Sequence, residues 1–99
     1  MSYLVLCTFD LKGASSTEYQ NAYSDLGKLG LKKVHKMDKG GDAVIPTTAA
    51  MGSFDGNNAT QVCTDIRDRV KAAFNARRFK SEIFITVGGQ DWAWVPDST

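Results

Sequence analysis

The chain has 99 residues, 42% of them hydrophobic, and a formal net charge of +1 from twelve basic and eleven acidic residues. This length suits one domain, residues 1–99, with a modest two-layer core. The near-zero charge excludes the bulk electrostatic attraction of strongly basic proteins for nucleic acid or anionic membranes, so any such binding depends on local arrangement. No apolar run approaches the ~20 residues that span a bilayer, and no secretory signal pattern is present. We therefore expect a cytoplasmic protein without membrane contact.

The two cysteines, Cys7 and Cys63, each lie among apolar neighbours. This pattern is typical of buried reduced thiols rather than a disulfide framework. With one histidine and no paired cysteine motif, the sequence offers no ligand set for zinc.

Within residues 2–11, Tyr3 to Phe9 form a near-continuous apolar run, which ends at the carboxylate of Asp10 and is followed by loop-forming residues. The run predicts a central strand. Because its side chains are apolar on both faces, both faces must be packed against other elements or a partner. Alternation places the side chains in two sets: Tyr3, Val5, Cys7 and Phe9 on one face, and Leu4, Leu6, Thr8 and Asp10 on the other. Because a carboxylate is more favourably placed at an open or interface face than under helices, we assign the first set to the helices. The open Leu4 and Leu6 face favours a homodimer built sheet against sheet.

Two helices are predicted from capping signals and apolar stripes. The first follows a capping box from Ser15 to Glu18 and closes at Gly30, which suits a left-handed residue. The second begins after Asn58, with Gln61 three residues on, and has basic residues in its last turn that suit the helix dipole.

Further strands follow from composition. Residues 31–37 are lysine-rich with weak alternation, which favours an edge strand, and 38–42 predict a turn. Residues 47–54 predict the next strand. Residues 81–87 are apolar on both faces and predict a second central strand, and the short aromatic segment 92–95 predicts an extra strand.

This order predicts an α+β, ferredoxin-like βαββαβ sandwich: an antiparallel sheet with two helices on one face and a short C-terminal extra strand. The first and last main strands are expected in the central positions. The C-terminal segment 90–96 is expected at a dimer interface.

Three segments carry a resemblance to a known family: Phe9-Asp10-Leu11, Pro46-Thr47-Thr48, and the extension from Trp92 to Val95. With them the chain resembles the small ferredoxin-like proteins of the CRISPR-associated adaptation endoribonuclease superfamily, to which the GhoS-type antitoxin endoribonuclease is similar. The resemblance implies a metal-dependent endoribonuclease or nucleic-acid-binding protein whose two subunits face each other through their sheets. It further implies that Asp10 and its symmetry mate hold one Mg²⁺, which would activate water and offset charge on a phosphate.

The residues themselves leave alternatives open for the site. Asp10 is either this catalytic metal ligand or a carboxylate that ends a strand by capping a turn. His35 is either a general base or a solvated residue on a lysine-rich strand.

The basic and aromatic candidates also have two interpretations. Phosphate contacts are predicted for four residues: Lys12, Lys33, Arg77 and Arg78. Edge protection and pairing with the helix dipole are the structural alternatives for such lysines and arginines. Trp92 and Trp94 share a face and either anchor the dimer or stack on bases of RNA or DNA.

Two function hypotheses therefore lead, and a third is weaker. The first is the metal-dependent endoribonuclease of the CRISPR-associated or toxin-antitoxin type. The second is a non-catalytic homodimeric protein-interaction module. Small-ligand sensing, which is common on this fold, rests on fold analogy alone.

Overall fold

Two helices and five strands form in the computed structural model, which describes residues 1–89 and 91–97. In chain order they are β1 Ser2–Leu11, α1 Ser16–Lys28, β2 Val34–Lys36, β3 Asp42–Val44, β4 Ala49–Asp55, α2 Ala59–Ala76 and β5 Ser81–Gly88. The strands pair antiparallel, as β4-β1-β5 in one sheet and β2-β3 in another. The predicted α+β class with two helices and an antiparallel sheet is confirmed.

The apolar run at the start of the chain forms the central strand, as predicted. Along β1, alternate residues from Tyr3 to Leu11 are buried and the residues between them are half-buried or exposed. The buried set packs with residues of both helices in one core, among them Leu26 of α1 and Phe74 of α2. The predicted assignment of the two β1 faces is therefore confirmed.

The last main strand lies at the edge of the sheet, and its predicted central position is wrong. Within the described residues, β5 pairs with β1 alone. The outer side of β4 is covered instead, because the backbones of Lys32 and Met51 exchange hydrogen bonds of 2.8 and 2.9 Å. A side chain at Gly52 would collide with the Gly30 carbonyl, so the absence of a Cβ permits this close approach.

Residues 31–37 do not form the predicted edge strand of the main sheet. Lys32 makes a single bridge to β4, and the strand in this range, Val34–Lys36, pairs with Asp42–Val44 in a separate hairpin. The strand at 42–44 was not predicted; three residues give too little alternation to recognise. The predicted turn between them is present, with Gly40 and Gly41 at φ of 91° and 78°. The βαββαβ order is thus not observed in the predicted form.

Both helix starts have the predicted caps. Glu18 N–H donates to Ser15 Oγ at 3.3 Å, and Glu18 Oε1 accepts from Ser15 N–H at 3.1 Å, which completes the capping box. Gln61 N–H donates to Asn58 Oδ1 at 2.8 Å. Gly30 follows α1 with a φ of 98°, as expected of a residue that closes a helix.

The predicted C-terminal extra strand does not form, since residues 91–97 contain no strand. This segment lies against its own chain instead. The Trp92 Cβ lies over Gly88 of β5, and the Trp94 ring centroid lies 6.1 Å from that of His35 on β2. A dimer interface at 90–96 stays a prediction, and Gln90 lies outside the described residues.

Both cysteine thiols are free, and Cys7 is fully buried. Burial raises the pKa of the Cys7 thiol to about 11. Neither helix in the described part of the chain is long and apolar enough to cross a membrane.

Candidate carboxylate site

Two carboxylates face each other at the end of the β1–β5 ladder. Asp10 is exposed and stands directly opposite Glu82 in the strand register. Like charges in such cross-strand pairs are destabilising. Lys12 Nζ lies 3.3 Å from Glu82 Oε1, but both side chains are more than half exposed, so solvent screens this pair strongly. The strand pairing therefore concentrates negative charge at one point of the surface.

Tyr19 of α1 holds the Asp10 end of β1. Its hydroxyl donates to Asp10 Oδ1 at 3.0 Å, with the Leu11 carbonyl oxygen as a second acceptor at 3.1 Å. The same hydroxyl accepts the Leu11 N–H at 3.1 Å. Since Asp10 remains exposed and a carboxylate accepts several bonds, it retains capacity for a cation or a water.

Thr48 lies beside this carboxylate in a strained conformation. Its φ is 60°, a region that β-branched residues rarely adopt and that costs on the order of 1–3 kcal/mol. Two contacts maintain it: the Thr48 N–H donates to Tyr23 Oη at 2.7 Å, and the Phe9 N–H donates to the Thr48 carbonyl at 2.9 Å. Tyr19 and Tyr23, one turn apart on α1, thus fix two segments of the same site.

A shallow cleft of about 430 Å³ opens above these groups. Its lining combines carboxylate, hydroxyl and aromatic side chains: Thr8, Phe9, Asp10, Thr48, Glu82, Ile83 and Phe84. Phe84 is 68% exposed and forms an apolar border on the open face of the sheet. The cleft therefore presents acid and hydroxyl oxygens beside an uncovered aromatic ring.

The oxygen donors suit a hard divalent cation. Mg²⁺ in proteins is commonly held by one or two carboxylates, with waters and substrate phosphates completing its shell. No group of three His, Cys, Asp or Glu residues within the described ranges could hold a metal ion. Asp10 and Glu82 are the two carboxylates that line this cleft.

The four predicted phosphate-binding residues do not form one cluster. Lys12 lies beside Asp10 through its pairing with Glu82. Lys33 Nζ lies 4.4 Å over the Tyr23 ring, and Arg78 follows α2 with a φ of 60°.

Arg77 is engaged between the helices. It binds Asp25 of α1 through Nε to Oδ2 and through Nη2 to Oδ1, the latter at 3.0 Å. These bonds hold the pKa of the Asp25 carboxyl below its ordinary value, and the pKa of Arg77 is raised by the same hydrogen bond. In this position Arg77 joins α1 to α2.

Three of the predicted dimer-interface residues, Leu4, Leu6 and Trp92, lie on or near the open face of the sheet, whereas Trp94 lies near His35 of the hairpin. Leu4 and Leu6 are half-buried there, and Trp92 is 38% exposed. Met51, the cross-strand neighbour of Leu6, is only 4% exposed. The uncovered part of this face is therefore its β1–β5 side.

His35 is half-buried rather than solvated. Its Nε2 lies 2.9 Å from the Lys32 carbonyl oxygen, so it donates a hydrogen bond there, and Trp94 packs near its ring. His35 does not line the Asp10 cleft. The structure gives it a local structural role in the hairpin.

Sequence reasoning missed three groups of this site: Glu82, Tyr19 and Thr48. The Tyr19 ring fits the apolar spacing of the first helix, and its hydroxyl gives no local signal of a contact with β1. Glu82 becomes recognisable only once the β1–β5 register is known. Thr48 belongs to the Pro46-Thr47-Thr48 segment of the family resemblance, but nothing in that segment indicated its positive φ or its place in the cleft.

Neither the protein-family models nor the curated protein sequences searched contain a match to this chain.

Proposed function

We propose that this chain is a metal-dependent endonuclease that acts on single-stranded RNA or DNA, with Asp10 as its catalytic carboxylate. The proposal retains the resemblance to CRISPR-associated and antitoxin endoribonucleases and places the enzyme in the cytoplasm. Its fold is then a variant of the ferredoxin-like sandwich in which the second strand has moved into a separate hairpin.

The observation that carries the proposal is the exposed Asp10–Glu82 pair beside the strained Thr48. Stability alone disfavours two carboxylates in register and a β-branched residue at positive φ. Charge repulsion and backbone strain both concentrate at functional sites, because a bound ligand can use the charge and the fixed geometry. Tyr19 and Tyr23 hold these groups in place, which is the support that a preorganised site needs.

A Mg²⁺ ion at this site would be held by Asp10 together with Glu82 or with Asp10 of a second copy. When bound, such an ion lowers the pKa of a coordinated water and offsets negative charge on a phosphate. Tyr19 orients the Asp10 carboxylate through Oδ1. The Lys12 ammonium group pairs with Glu82 at the same end of the sheet. When Lys12 releases Glu82, its positive charge becomes available to the phosphate.

The open face of the sheet supports a homodimer as the working form. Phe84 is largely exposed there, and Leu4 and Leu6 are only half-buried. Sheet-to-sheet packing would remove these side chains from water. A two-fold axis along the strands would then bring the two copies of Asp10 to the same end of the dimer.

The direct test is cleavage of fluorescently labelled single-stranded RNA and DNA by the purified chain. We expect cleavage with added Mg²⁺ or Mn²⁺, none with a chelator, and a loss of at least about a hundredfold in Asp10→Asn, as for other essential catalytic carboxylates. Asp55→Asn is the matched control, because Asp55 is exposed at the opposite end of the same sheet. Inactivity on both substrates, or equal rates in Asp10→Asn and wild type, would refute the proposal.

A second candidate function, the non-catalytic homodimeric interaction module, is favoured by the 68% exposure of Phe84. On this hypothesis a second copy of the chain still covers the open face. The Asp10 and Glu82 carboxylates then have no catalytic role and only end their strands. Phe84→Asp should then convert a dimer to a monomer in light scattering, while Val44→Asp, a change at an exposed apolar residue on the hairpin, should not. Dimerisation without any nuclease activity would favour this candidate over the enzyme.

A further inference from the structure

We propose that a basic groove between α2 and β5 binds the backbone of single-stranded nucleic acid and leads it over the sheet edge to the Asp10 cleft. The groove has a volume of about 290 Å³. Its lining residues are Arg67, Lys71, Asn75, Phe79, Ser81 and Ile83, and we call it the α2–β5 groove. The inference deepens the proposed function and rests on it.

The helical spacing of α2 creates one wall of the groove. Arg67, Lys71 and Asn75 follow at intervals of four residues and therefore form one stripe along the helix. The residues just before them, such as Val70 and Phe74, are buried in the core. The stripe consequently borders the core on the side of α2 that faces β5.

The charges of the groove suit a phosphate. Lys71 is exposed, and no hydrogen bond or ion pair within the described residues engages its ammonium group. Arg67 donates twice to Asp68 Oδ1, at 3.1 and 3.2 Å, so part of its charge is neutralised. Lys71 is therefore the main phosphate ligand of the groove, and Arg67 is secondary.

The remaining lining residues suit the rest of a nucleotide. The Phe79 ring is half-buried and packs edge-on against Phe74 at 5.6 Å between centroids. An aromatic ring fixed in this way is a stacking platform for a base of any type. Asn75 and Ser81 add an amide and a hydroxyl that can hydrogen-bond sugar or base atoms.

The position of β5 connects this groove to the carboxylates. Ile83 lines both the α2–β5 groove and the Asp10 cleft, so the two depressions meet at one residue of the strand. Since β5 is an edge strand, only the width of one strand, about 5 Å, separates them. A flexible single strand can cross that edge, whereas a stiff duplex cannot follow so sharp a path.

The test measures binding apart from cleavage. Fluorescence anisotropy of a labelled single-stranded RNA, without divalent metal and with all changes made in the Asp10→Asn background, gives the affinity. We expect Lys71→Gln to weaken binding roughly tenfold, as for loss of a charged hydrogen bond. Arg67→Gln with Lys71→Gln should make the slope of log affinity against log salt shallower by about 1.4, or about 0.7 per phosphate contact.

Arg69→Gln is the matched control, with the same loss of one charge on the exposed side of α2. Equal affinities for Lys71→Gln and Arg69→Gln, or no binding of either RNA or DNA, would overturn the inference. Parallel titrations with single-stranded DNA of the same sequence identify which nucleic acid is preferred. If Lys71→Gln weakens binding but the wild-type chain never cleaves nucleic acid, the proposal for the α2–β5 groove holds and the proposed nuclease activity is refuted.

Discussion

The Tyr19 hydroxyl donates to Asp10 Oδ1 at 3.0 Å while it accepts the Leu11 N–H at 3.1 Å. One side chain of α1 thus satisfies the backbone at the end of the central strand and orients the carboxylate next to it. This link couples the helix layer to the candidate site, because any shift of α1 moves the residue that positions Asp10.

Tyr19→Phe should lower the cleavage rate about tenfold, because the carboxylate loses its orienting bond. The free energy of unfolding should fall by about 1 kcal/mol, the usual contribution of one hydrogen bond. Single-turnover cleavage and urea unfolding measure the two effects. Tyr3→Phe is the control at the opposite end of β1, where the hydroxyl contacts the Asn57 carbonyl only at 3.4 Å. An equal loss of activity in both variants would contradict a positioning role for Tyr19.

Gly52→Ala should destabilise the fold, whereas Gly27→Ala should not. A Cβ at Gly52 collides with the Gly30 carbonyl, and such overpacking costs about 1–3 kcal/mol. Gly27 lies within α1 with open space around its Cα, so alanine there should stabilise by roughly 0.5–1 kcal/mol. Urea denaturation of the two variants checks both signs. Similar effects at both positions would show that the loop after α1 does not pack against β4 as described.

The Asp25–Arg77 pair should make stability depend on pH in the acid range. The pKa of Asp25 is lowered in the folded chain, first by the hydrogen bond from Arg77. The stabilisation is therefore present above the ordinary aspartate pKa and is lost as pH falls through the lower folded value. Asp25→Asn should be less stable than wild type at pH 6, and the difference should shrink towards pH 3. A difference that stays constant over this range in urea titrations would contradict the pairing.

The two thiols should differ sharply in reactivity. Cys7 is fully buried and has a pKa raised to about 11, so it should not react with a thiol reagent at pH 8 while the chain is folded. Cys63 is half-buried and donates only a weak bond to the Ile85 carbonyl, at 3.7 Å. We expect one thiol to titrate in the native protein and the second only in urea. Two thiols that react at the same rate without denaturant would contradict the burial of Cys7.

Local patterns in the sequence predicted the local features correctly. The alternation of β1 identified its buried face, because successive side chains of a strand point to opposite faces. Once Asp10 is assigned to the exposed face, the other set must be buried. Ser15 and Asn58 identified the helix starts through hydrogen bonds that span only three residues. The free cysteines followed from their apolar neighbours.

Features that depend on distant contacts were missed. Strand 81–88 is apolar on both faces, which predicted a central position, but the sequence does not record that Phe84 stays uncovered. The cover on the outer side of β4 depends on Gly30 and Gly52, two residues without side chains that let the loop after α1 approach. The Trp92 segment has the composition of a strand, yet it packs on its own chain without strand pairing. Asp10 and Glu82 are neighbours only because of the β1–β5 register, and the sequence of one strand does not specify that register.

The stoichiometry of Mn²⁺ binding tests the central claim, a cation site at Asp10, most directly. Electron paramagnetic resonance titration counts free Mn²⁺ and therefore the ions bound per chain. If two copies of Asp10 share one ion, wild type and Asp55→Asn bind one Mn²⁺ per two chains, and Asp10→Asn binds none. Mn²⁺ binding that is unchanged in Asp10→Asn, or absent from wild type at millimolar Mn²⁺, would contradict the claim.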